Sequence, residues 1–213
     1  MKIRIRSDSV LIEGYVNAVE RNSKPLMSRL GKFIERICKG AFFNALERNA
    51  DVHCLLNHDW SRDLASTSRG NLELTEDAIG LYARAEITDA DVINDAREGN
   101  LVGWSFGFYD TPDGVTESRS EDGLPLRIVR DMDLREVSIL NRQKTPAYDG
   151  TLIMARSESD ADYISEAFID DVETIDETRS QEVPQQEEHP EVIEVIDYSV
   201  YERMISEMKG ESE

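Results

Sequence analysis

The chain has 213 residues and an excess of acidic groups, with 44 Asp and Glu against 24 Lys and Arg and a formal charge of −20. Binding of duplex nucleic acid through a basic patch needs clustered Lys and Arg, so we do not expect it here. The sequence has no apolar run long enough to span a membrane and none typical of a signal peptide. We therefore expect a protein of the cytosol.

The acidic excess is unevenly spread and divides the chain into three parts. Residues 1–156 are nearly neutral and have the composition of one folded domain. Residues 157–213 hold 19 acidic and 3 basic side chains. Within them, residues 157–190 are rich in Glu, Asp, Gln and Ser, which predicts a disordered linker. Residues 191–213 carry apolar side chains at spacings of three and four, which predicts an amphipathic helix that binds a partner or a second copy of the chain.

The first predicted elements of the domain are strands. Alternation predicts a strand over Lys2–Arg6, and β-branched content predicts another over Val10–Val19. A loop over residues 22–26 follows. Apolar residues then recur at helical spacing over Phe33–Leu46 with an interruption at Gly40. This pattern predicts either one short helix on each side of the glycine or a turn followed by a helix.

The later elements of the domain are also mostly strands. The patterns predict a strand over Asp51–Asn57 and a hairpin over Asn71–Ile87. A capping box at Thr88 predicts the start of a short helix that ends near residue 99. Two more strands, Leu101–Tyr109 and Leu126–Leu140, flank a polar loop. The order of elements predicts an α+β fold, mostly antiparallel β-sheet with a few helices.

One strand carries a serine between two glycines. Because alternate side chains of a strand share a face, the aromatic residues of Leu101–Tyr109 lie together on the core side. Ser105 lies on the opposite side, flanked there by Gly103 and Gly107, so that a peptide backbone could approach it closely. Ser105 is therefore a candidate nucleophile. The alternative is a core strand whose glycines mark a bulge or a tight crossing.

The candidate base is His58, where a predicted strand ends in a loop. An imidazole with a pKa of about 6.5 can accept a serine proton at neutral pH. A metal site made of His58, Asp59 and His53 is an alternative, but adjacent side chains on an extended segment diverge and His53 has the opposite parity. A surface histidine without a role is a further alternative. We expect no metal, no cofactor and, because Cys38 and Cys54 lie in apolar runs, no disulfide.

A third candidate lies in the strand segment Leu134–Leu140. Its apolar residues take the core face, so Glu136 and Ser138 share the other face. A buried acid is costly unless it is paired, which makes Glu136 the best candidate for the group that orients the histidine. Asp59 and Asp133 are weaker candidates. The alternative is a glutamate exposed on an edge strand.

Six sequence strings follow one another along the domain in the order GYVNAV, FIERICKGAF, LLNHD, LELTEDAIGLYARAEI, VGWSFGF and LREVSIL. These strings and their order resemble those of the prohead (procapsid) maturation proteases of tailed bacteriophages. The chain resembles this family from about Ile12 to Ala155. The resemblance implies a serine endopeptidase, in which His58 of the NHD motif is the base and Ser105 of the SFGF motif is the nucleophile. It makes Glu136, in the EVS string, the third catalytic residue.

The same family is similar in fold to the herpesvirus assemblins, which implies a β-barrel wrapped by helices. Assemblins use a second histidine as the third catalytic residue. In this chain no histidine follows Ser105 before His189, which favours an acid at that position. Analogy with assemblins also suggests residues 141–144 as the loop that supplies the oxyanion hole.

The resemblance further implies partners and a place of action. The substrates would be the phage scaffold or the scaffolding segment of the major capsid protein, and the protease itself, inside the assembling prohead in the host cytoplasm. A homo-oligomer is compatible with the terminal helix, and self-cleavage within residues 157–190 would release that helix. A non-enzymatic capsid assembly or scaffolding factor is the alternative, and an acidic mimic of nucleic acid is a remoter one.

Overall fold

The computed structural model describes residues 1–28, 31–142, 163–168 and 171–178. The two helices in these ranges are α1 (Ala41–Arg48) and α2 (Ala90–Arg97). The strands are β1 (Lys2–Ile5), β2 (Val10–Ala18), β3 (Leu26–Ser28), β4 (Gly31–Ile37), β5 (His53–Leu56), β6 (Asp59–Ser66), β7 (Leu72–Glu76), β8 (Gly80–Ile87), β9 (Leu101–Asp110), β10 (Val115–Arg119), β11 (Pro125–Val129), β12 (Met132–Asn141), β13 (Tyr163–Phe168) and β14 (Glu173–Asp176).

The strands of the described ranges form three sheets. The first sheet has the order β14-β1-β2-β8-β7, the second β10-β11-β4-β3 and the third β13-β9-β12-β5-β6. Most neighbours are antiparallel, while the pairs β1–β14, β11–β4 and β12–β5 are parallel. The prediction of a mostly β fold with a few helices is therefore confirmed.

The prediction of a closed β-barrel is wrong. A barrel closes when its first and last strands pair with each other. In the part of the chain that the structure describes, each of the three sheets instead begins and ends in an edge strand. The strands that cover the core are thus divided among three open sheets. Closure depends on pairing between distant strands, which the period-two pattern of each strand does not encode.

Several predicted elements agree with the structure. Strands β1, β2 and β5 lie within or on the predicted strands, and β7 and β8 form the predicted hairpin. The predicted strand over Leu126–Leu140 is divided at Arg130 and Asp131 into β11 and β12. The polar loop before it contains β10, which pairs with β11. Polar side chains on an exposed edge strand gave no apolar alternation from which β10 could be predicted.

The segment Phe33–Leu46 differs from its predicted form. Its first part is β4, which pairs in parallel with β11 and antiparallel with β3. Its second part is α1, which follows a turn at Gly40, where φ is +90°. Of the two predicted forms, the turn followed by a helix holds for the part after the glycine. Sheet pairing on both sides of β4 outweighs the helical spacing of its apolar residues, because short apolar runs fit either period.

One other local prediction is wrong, and one strand had no predicted counterpart. Helix α2 is capped by Asp89, whose carboxylate accepts the backbone N–H groups of Asp91 and Val92, and not by Thr88. Strand β6 follows β5 directly, although its sequence DWSRDLAS lacks the alternation of a half-buried strand.

The amphipathic helix predicted in residues 191–213 lies outside the described residues. Strands β13 and β14 lie in the range predicted as linker, and no helix of the described residues is long and apolar enough to cross a bilayer.

Helix α1 packs against the apolar face of the third sheet. Its Phe42 is fully buried and meets Phe106 of β9 edge to face, with ring centroids 5.2 Å apart. Trp104 and Phe108 of the same strand are also buried. Burying each of these large side chains stabilises the fold by about 1.5–3 kcal/mol. The aromatic face of β9 is therefore the core face, as the strand pattern predicts.

A partly buried ion network joins the second and third sheets. Arg127 of β11 donates to Glu35 of β4 at 2.9 Å and to both carboxylate oxygens of Asp110 on β9 at 2.7 and 2.9 Å. The Glu35 side chain has no exposed surface. Burial by itself would lower the pKa of Arg127, but its bonds to Asp110 and Glu35 outweigh burial and raise it. The positive charge of the Arg127 guanidinium thus compensates the negative charge of the Glu35 carboxylate, which water cannot reach.

Replacing Arg127 with methionine is expected to lower the free energy of unfolding by about 3–5 kcal/mol, because Glu35 then stays buried without its cation. Urea denaturation measures the change. The control is Arg135→Met, which removes an exposed ion pair to Asp133 at 3.5 Å and should cost at most about 1 kcal/mol. Equal losses in the two variants would contradict a special contribution from Arg127.

Candidate active site

The third sheet brings the serine and the glutamate onto one face of two paired strands. Ser138 of β12 is directly opposite Ser105 of β9, and Glu136 is opposite Gly107. Residues directly opposite each other project to the same face of a sheet. Ser105 and Glu136 thus share the face opposite to the aromatic core face. Both are buried, Ser105 with 1% and Glu136 with 0% of its surface exposed.

His58 lies in a tight turn between β5 and β6. Leu56 pairs with Asp59 across the turn, so its two central residues are Asn57 and His58. Their φ angles are +54° and +60°, as in the type I′ turns that fit the twist of two-residue hairpins. The left-handed conformation costs about 1–2 kcal/mol for a residue with a side chain. Bonds to β12 must offset that cost.

Two backbone bonds attach this turn to β12. The N–H of Asn57 donates to the Ile139 carbonyl at 2.9 Å. The N–H of His58 donates to the Ser138 hydroxyl oxygen at 3.1 Å. Ser138 is also directly opposite Ser105, so the residue that binds the backbone of His58 is a neighbour of the candidate nucleophile.

The imidazole of His58 is bonded to Glu136. The distance from Nδ1 to Oε1 is 2.7 Å, and the histidine side chain is 14% exposed. An ionised carboxylate only accepts hydrogen bonds, so the proton of this contact belongs to Nδ1. The neutral ring then has its basic lone pair on Nε2, the nitrogen that can take a proton from a hydroxyl. The sequence places these two residues 78 positions apart, and the fold brings them into contact.

Ser138 gives the carboxylate a second hydrogen bond. Its hydroxyl donates to Oε2 of Glu136 at 2.5 Å, so that His58 and Ser138 bind different oxygens of one buried carboxylate. Two bonds to different oxygens hold the carboxylate in one orientation. Strand parity predicts this face for Ser138 but predicts no role for it. The available signal was its spacing of two from the candidate acid on the same strand.

A polar network supports the turn from the side of α2. The Asn57 amide donates to the side-chain oxygen of Asn141 at 2.8 Å, and the Asn141 backbone N–H donates back to the Asn57 side chain at 3.1 Å. The Asn141 amide in turn donates to Asp95 of α2 at 2.7 Å, in a contact that is fully buried. Asn141 opens the range predicted as the oxyanion loop, of which residues 143 and 144 lie outside the described residues.

The other candidates from the sequence are directed elsewhere. Asp59 accepts hydrogen bonds from the backbone and hydroxyl of Ser61. Asp133 lies 3.5 Å from Arg135 with 45% of its side chain exposed. His53 contacts Asp63 at 3.1 Å. Among the described residues there is no group of three or more His, Cys, Asp or Glu side chains that could hold a metal ion.

The buried thiol of Cys54 lies in the same sheet but is not a rival nucleophile. Burial raises the pKa of Cys54 far above its usual range, and the negative charge of Glu136 raises it further. The reactive form of cysteine is the thiolate, which is suppressed at neutral pH. The hydroxyl of Ser105 is therefore the better candidate on this sheet.

The arrangement has the components of nucleophilic acyl transfer. A buried carboxylate orients a histidine, and the histidine belongs to a turn bonded to the strand beside the serine. Such a carboxylate stabilises the imidazolium that forms when the ring accepts a proton. The chemistry that these groups can perform is activation of a hydroxyl for attack on a carbonyl carbon.

Comparison with known proteins agrees with this chemistry. A family model described as caudovirus prohead serine protease matches residues 1–164. The matched range contains His58, Ser105 and Glu136. No curated protein and no solved structure matches the chain.

Proposed function

The chain belongs to the caudovirus prohead serine proteases, and from this premise we propose that Ser105, His58 and Glu136 are its catalytic residues. A member of this family is a serine endopeptidase of phage capsid maturation. The observation that supports the assignment most is the 2.7 Å contact between Nδ1 of His58 and the buried carboxylate of Glu136. This contact lies on the same face of the sheet as Ser105.

The proposed mechanism has two acyl-transfer steps. Ser105 Oγ attacks the carbonyl carbon of the scissile peptide bond while Nε2 of His58 takes the hydroxyl proton. His58 then gives this proton to the leaving amine, and an acyl-enzyme remains on Ser105. Nε2 of His58 then takes a proton from a water molecule that attacks the acyl carbon, and it returns this proton to Ser105 Oγ as the acid product leaves. Glu136 stabilises the imidazolium in both steps, and backbone N–H groups stabilise the oxyanion. Of the range 141–144 suggested as their source, the N–H groups of Asn141 and Arg142 already donate to Asn57 and Asn100, so the proposal is limited to residues 143 and 144.

The proposed substrates are proteins of the assembling particle. A prohead protease acts inside the prohead in the host cell, on capsid components. We propose the scaffold, or the scaffolding segment of the major capsid protein, and the protease itself as the cleaved chains. We propose self-cleavage within the acidic range of residues 157–190 but outside strands β13 and β14, since a chain held in sheet pairing is a poor protease substrate. Residues 191–213 are the proposed handle that binds scaffold or capsid protein.

Covalent labelling tests the assignment of the nucleophile without knowledge of the substrate. A fluorophosphonate reacts with a serine that a neighbouring base activates. Mass spectrometry of the labelled full chain should find the adduct on Ser105, and His58→Ala should abolish it. Labelling of a different serine, or labelling that survives loss of His58, would refute the proposed nucleophile and base.

Replacing Ser138 with alanine is expected to lower kcat about 10-fold to 100-fold, since a hydrogen bond to a charged group contributes about 1.5–3 kcal/mol. The variant keeps all three proposed catalytic residues but loses the donor to Oε2 of Glu136. A continuous peptidase assay measures the change, and KM should stay within about twofold because Ser138 would act on the transition state. Ser138→Thr, which keeps the hydroxyl, should recover most of the rate. Equal rates in Ser138→Ala and wild type would contradict this role.

A further inference from the structure

The strand of the candidate nucleophile has a second neighbour, which comes from beyond the domain predicted from the sequence. Strand β13 (Tyr163–Phe168) pairs antiparallel with β9 on the side away from β12. The register puts Ala167 directly opposite Ser105 and Ser165 opposite Gly107. A six-residue segment of the chain thus runs alongside the proposed nucleophile as an extended strand.

One hydrogen bond on the far side of β12 identifies which backbone groups of β9 face β13. The Ile139 carbonyl accepts the N–H of Asn57, so the backbone groups of Ile139 face β5. Backbone groups alternate between the two sides along a strand, so those of Ser138 face β9 and pair with those of Ser105. On β9, the groups of Phe106 and its alternate neighbours then face β13, where Phe106 is opposite Glu166.

A row of backbone N–H and C=O groups on a strand edge is a template for another extended chain. Proteins that recognise peptides often bind them by adding a strand to such an edge. The β9 edge offers this template on the strand that carries Ser105. Ser105 and Ala167 form a pair without mutual backbone bonds, in which the Cα atoms of antiparallel strands approach to about 4.5 Å. A chain on this edge is therefore held next to Ser105.

The burial of Ser105 indicates that the site is closed in this arrangement. Ser105 is only 1% exposed. A substrate carbonyl must come within bonding distance of its Oγ, so some part of the chain must move before a separate polypeptide can react. Ser105 has β12 on one side and β13 on the other, and β13 occupies the edge of β9 on which a separate strand would have to pair.

Resting on the proposed function, we propose that the β9 edge is the docking site for an extended polypeptide substrate, and that residues 163–168 occupy this edge in cis. Substrate and β13 compete for the same backbone groups of Phe106 and its alternate neighbours. The chain therefore restrains its own activity, and a substrate strand must displace β13 before cleavage. The substrate class is an extended polypeptide segment, recognised through its backbone.

A pair of proline variants at adjacent positions tests the competition, because they remove backbone N–H groups on opposite sides of β13. The Glu166 N–H faces β9, whereas the Ser165 N–H faces away, so proline at 166 breaks the pairing and proline at 165 spares it. The probe is a fluorescein-labelled peptide of residues 161–170, added to full-length chains that also carry Ser105→Ala to prevent cleavage. If β13 occupies the edge about 90% of the time, Glu166→Pro should bind the peptide about tenfold more tightly than the parent, and Ser165→Pro should not. Equal affinity in all three chains overturns the inference.

Labelling of Ser105 separates failure of this inference from failure of the proposed function. With Ser105 intact, fluorophosphonate should label Glu166→Pro about tenfold faster than wild type, and saturating peptide should slow the reaction again. Equal labelling rates in wild type and both proline variants overturn the competition and leave the nucleophile assignment standing. Absence of Ser105 labelling in all chains overturns the assignment, and this inference falls with it.

Hydrogen exchange of the wild-type chain gives a result even if Glu166→Pro does not fold. The Phe106 amide is bonded to β13 and the Ser105 amide to β12, so release of β13 exposes only the first. The Phe106 amide should exchange at least about tenfold faster than the Ser105 amide. Equal protection of the two amides would mean that β13 opens only with the whole fold, which contradicts a displaceable strand.

Discussion

Replacing Ser105 with alanine is expected to lower the rate of peptide-bond cleavage by about 10⁶-fold, because loss of the nucleophile of a catalytic triad removes nearly all of its contribution. The fold should survive, since the change removes one hydroxyl from a buried position. The measurement is co-expression of the chain with the phage capsid protein, followed by mass spectrometry of the assembled particles. Wild type should give processed capsid protein and Ser105→Ala should give the full-length form.

The matched control for this experiment is Ser118→Ala, at an exposed position on β10. It makes the same chemical change away from the site and should leave processing intact. Capsid protein processed equally by wild type and Ser105→Ala would refute the assignment of Ser105. Particles that assemble normally around an unprocessed capsid protein with every chain, wild type included, would instead favour the non-enzymatic assembly factor.

Replacing Glu136 with glutamine is expected to lower kcat by about 10⁴-fold while the melting temperature changes little. An amide of the same shape cannot compensate the imidazolium, and its NH₂ group favours the wrong tautomer of the histidine. The variant puts a neutral amide in place of the carboxylate that contacts Nδ1 of His58 at 2.7 Å and accepts the Ser138 hydroxyl at 2.5 Å. Steady-state kinetics and thermal unfolding of the purified chain measure the two quantities.

The control for Glu136 is Asp133→Asn on the same strand. Asp133 is half-exposed and lies near Arg135, so its loss should change kcat less than about twofold. If Asp133→Asn abolished cleavage and Glu136→Gln did not, the third catalytic residue would be Asp133. The two variants therefore decide between the candidates that the sequence alone left open.

The strand faces were predictable from the sequence because their cause is local. Alternate residues of a strand point to opposite faces whatever the strand pairs with. The aromatic residues around Ser105 therefore had to lie together, as did Glu136 and Ser138, and the register between β9 and β12 agrees with both. The hairpin of β7 and β8 was predictable for the same reason, since its partner strands are close in sequence.

The sheet arrangement was not predictable in this way. The β4 segment has apolar residues that fit a helix or a strand, and its pairing with β3 and with β11, about ninety positions later, favours the strand. Strand β6 has almost no apolar alternation, and it forms because its backbone pairs with that of β5. The barrel expected from the resemblance fails because closure requires pairing of edge strands, which the described sheets do not make.

The sequence by itself determined the types of group available at the site and the faces on which they lie, because motifs and strand parity are properties of neighbouring residues. Only the tertiary structure decided which groups meet. The contact between His58 and Glu136 spans 78 positions, and the support of the histidine turn by Asn141 and Asp95 joins three separate elements. The placement of β13 on the edge of β9 is likewise a long-range pairing. Such contacts depend on the packing of whole sheets, which no local pattern encodes.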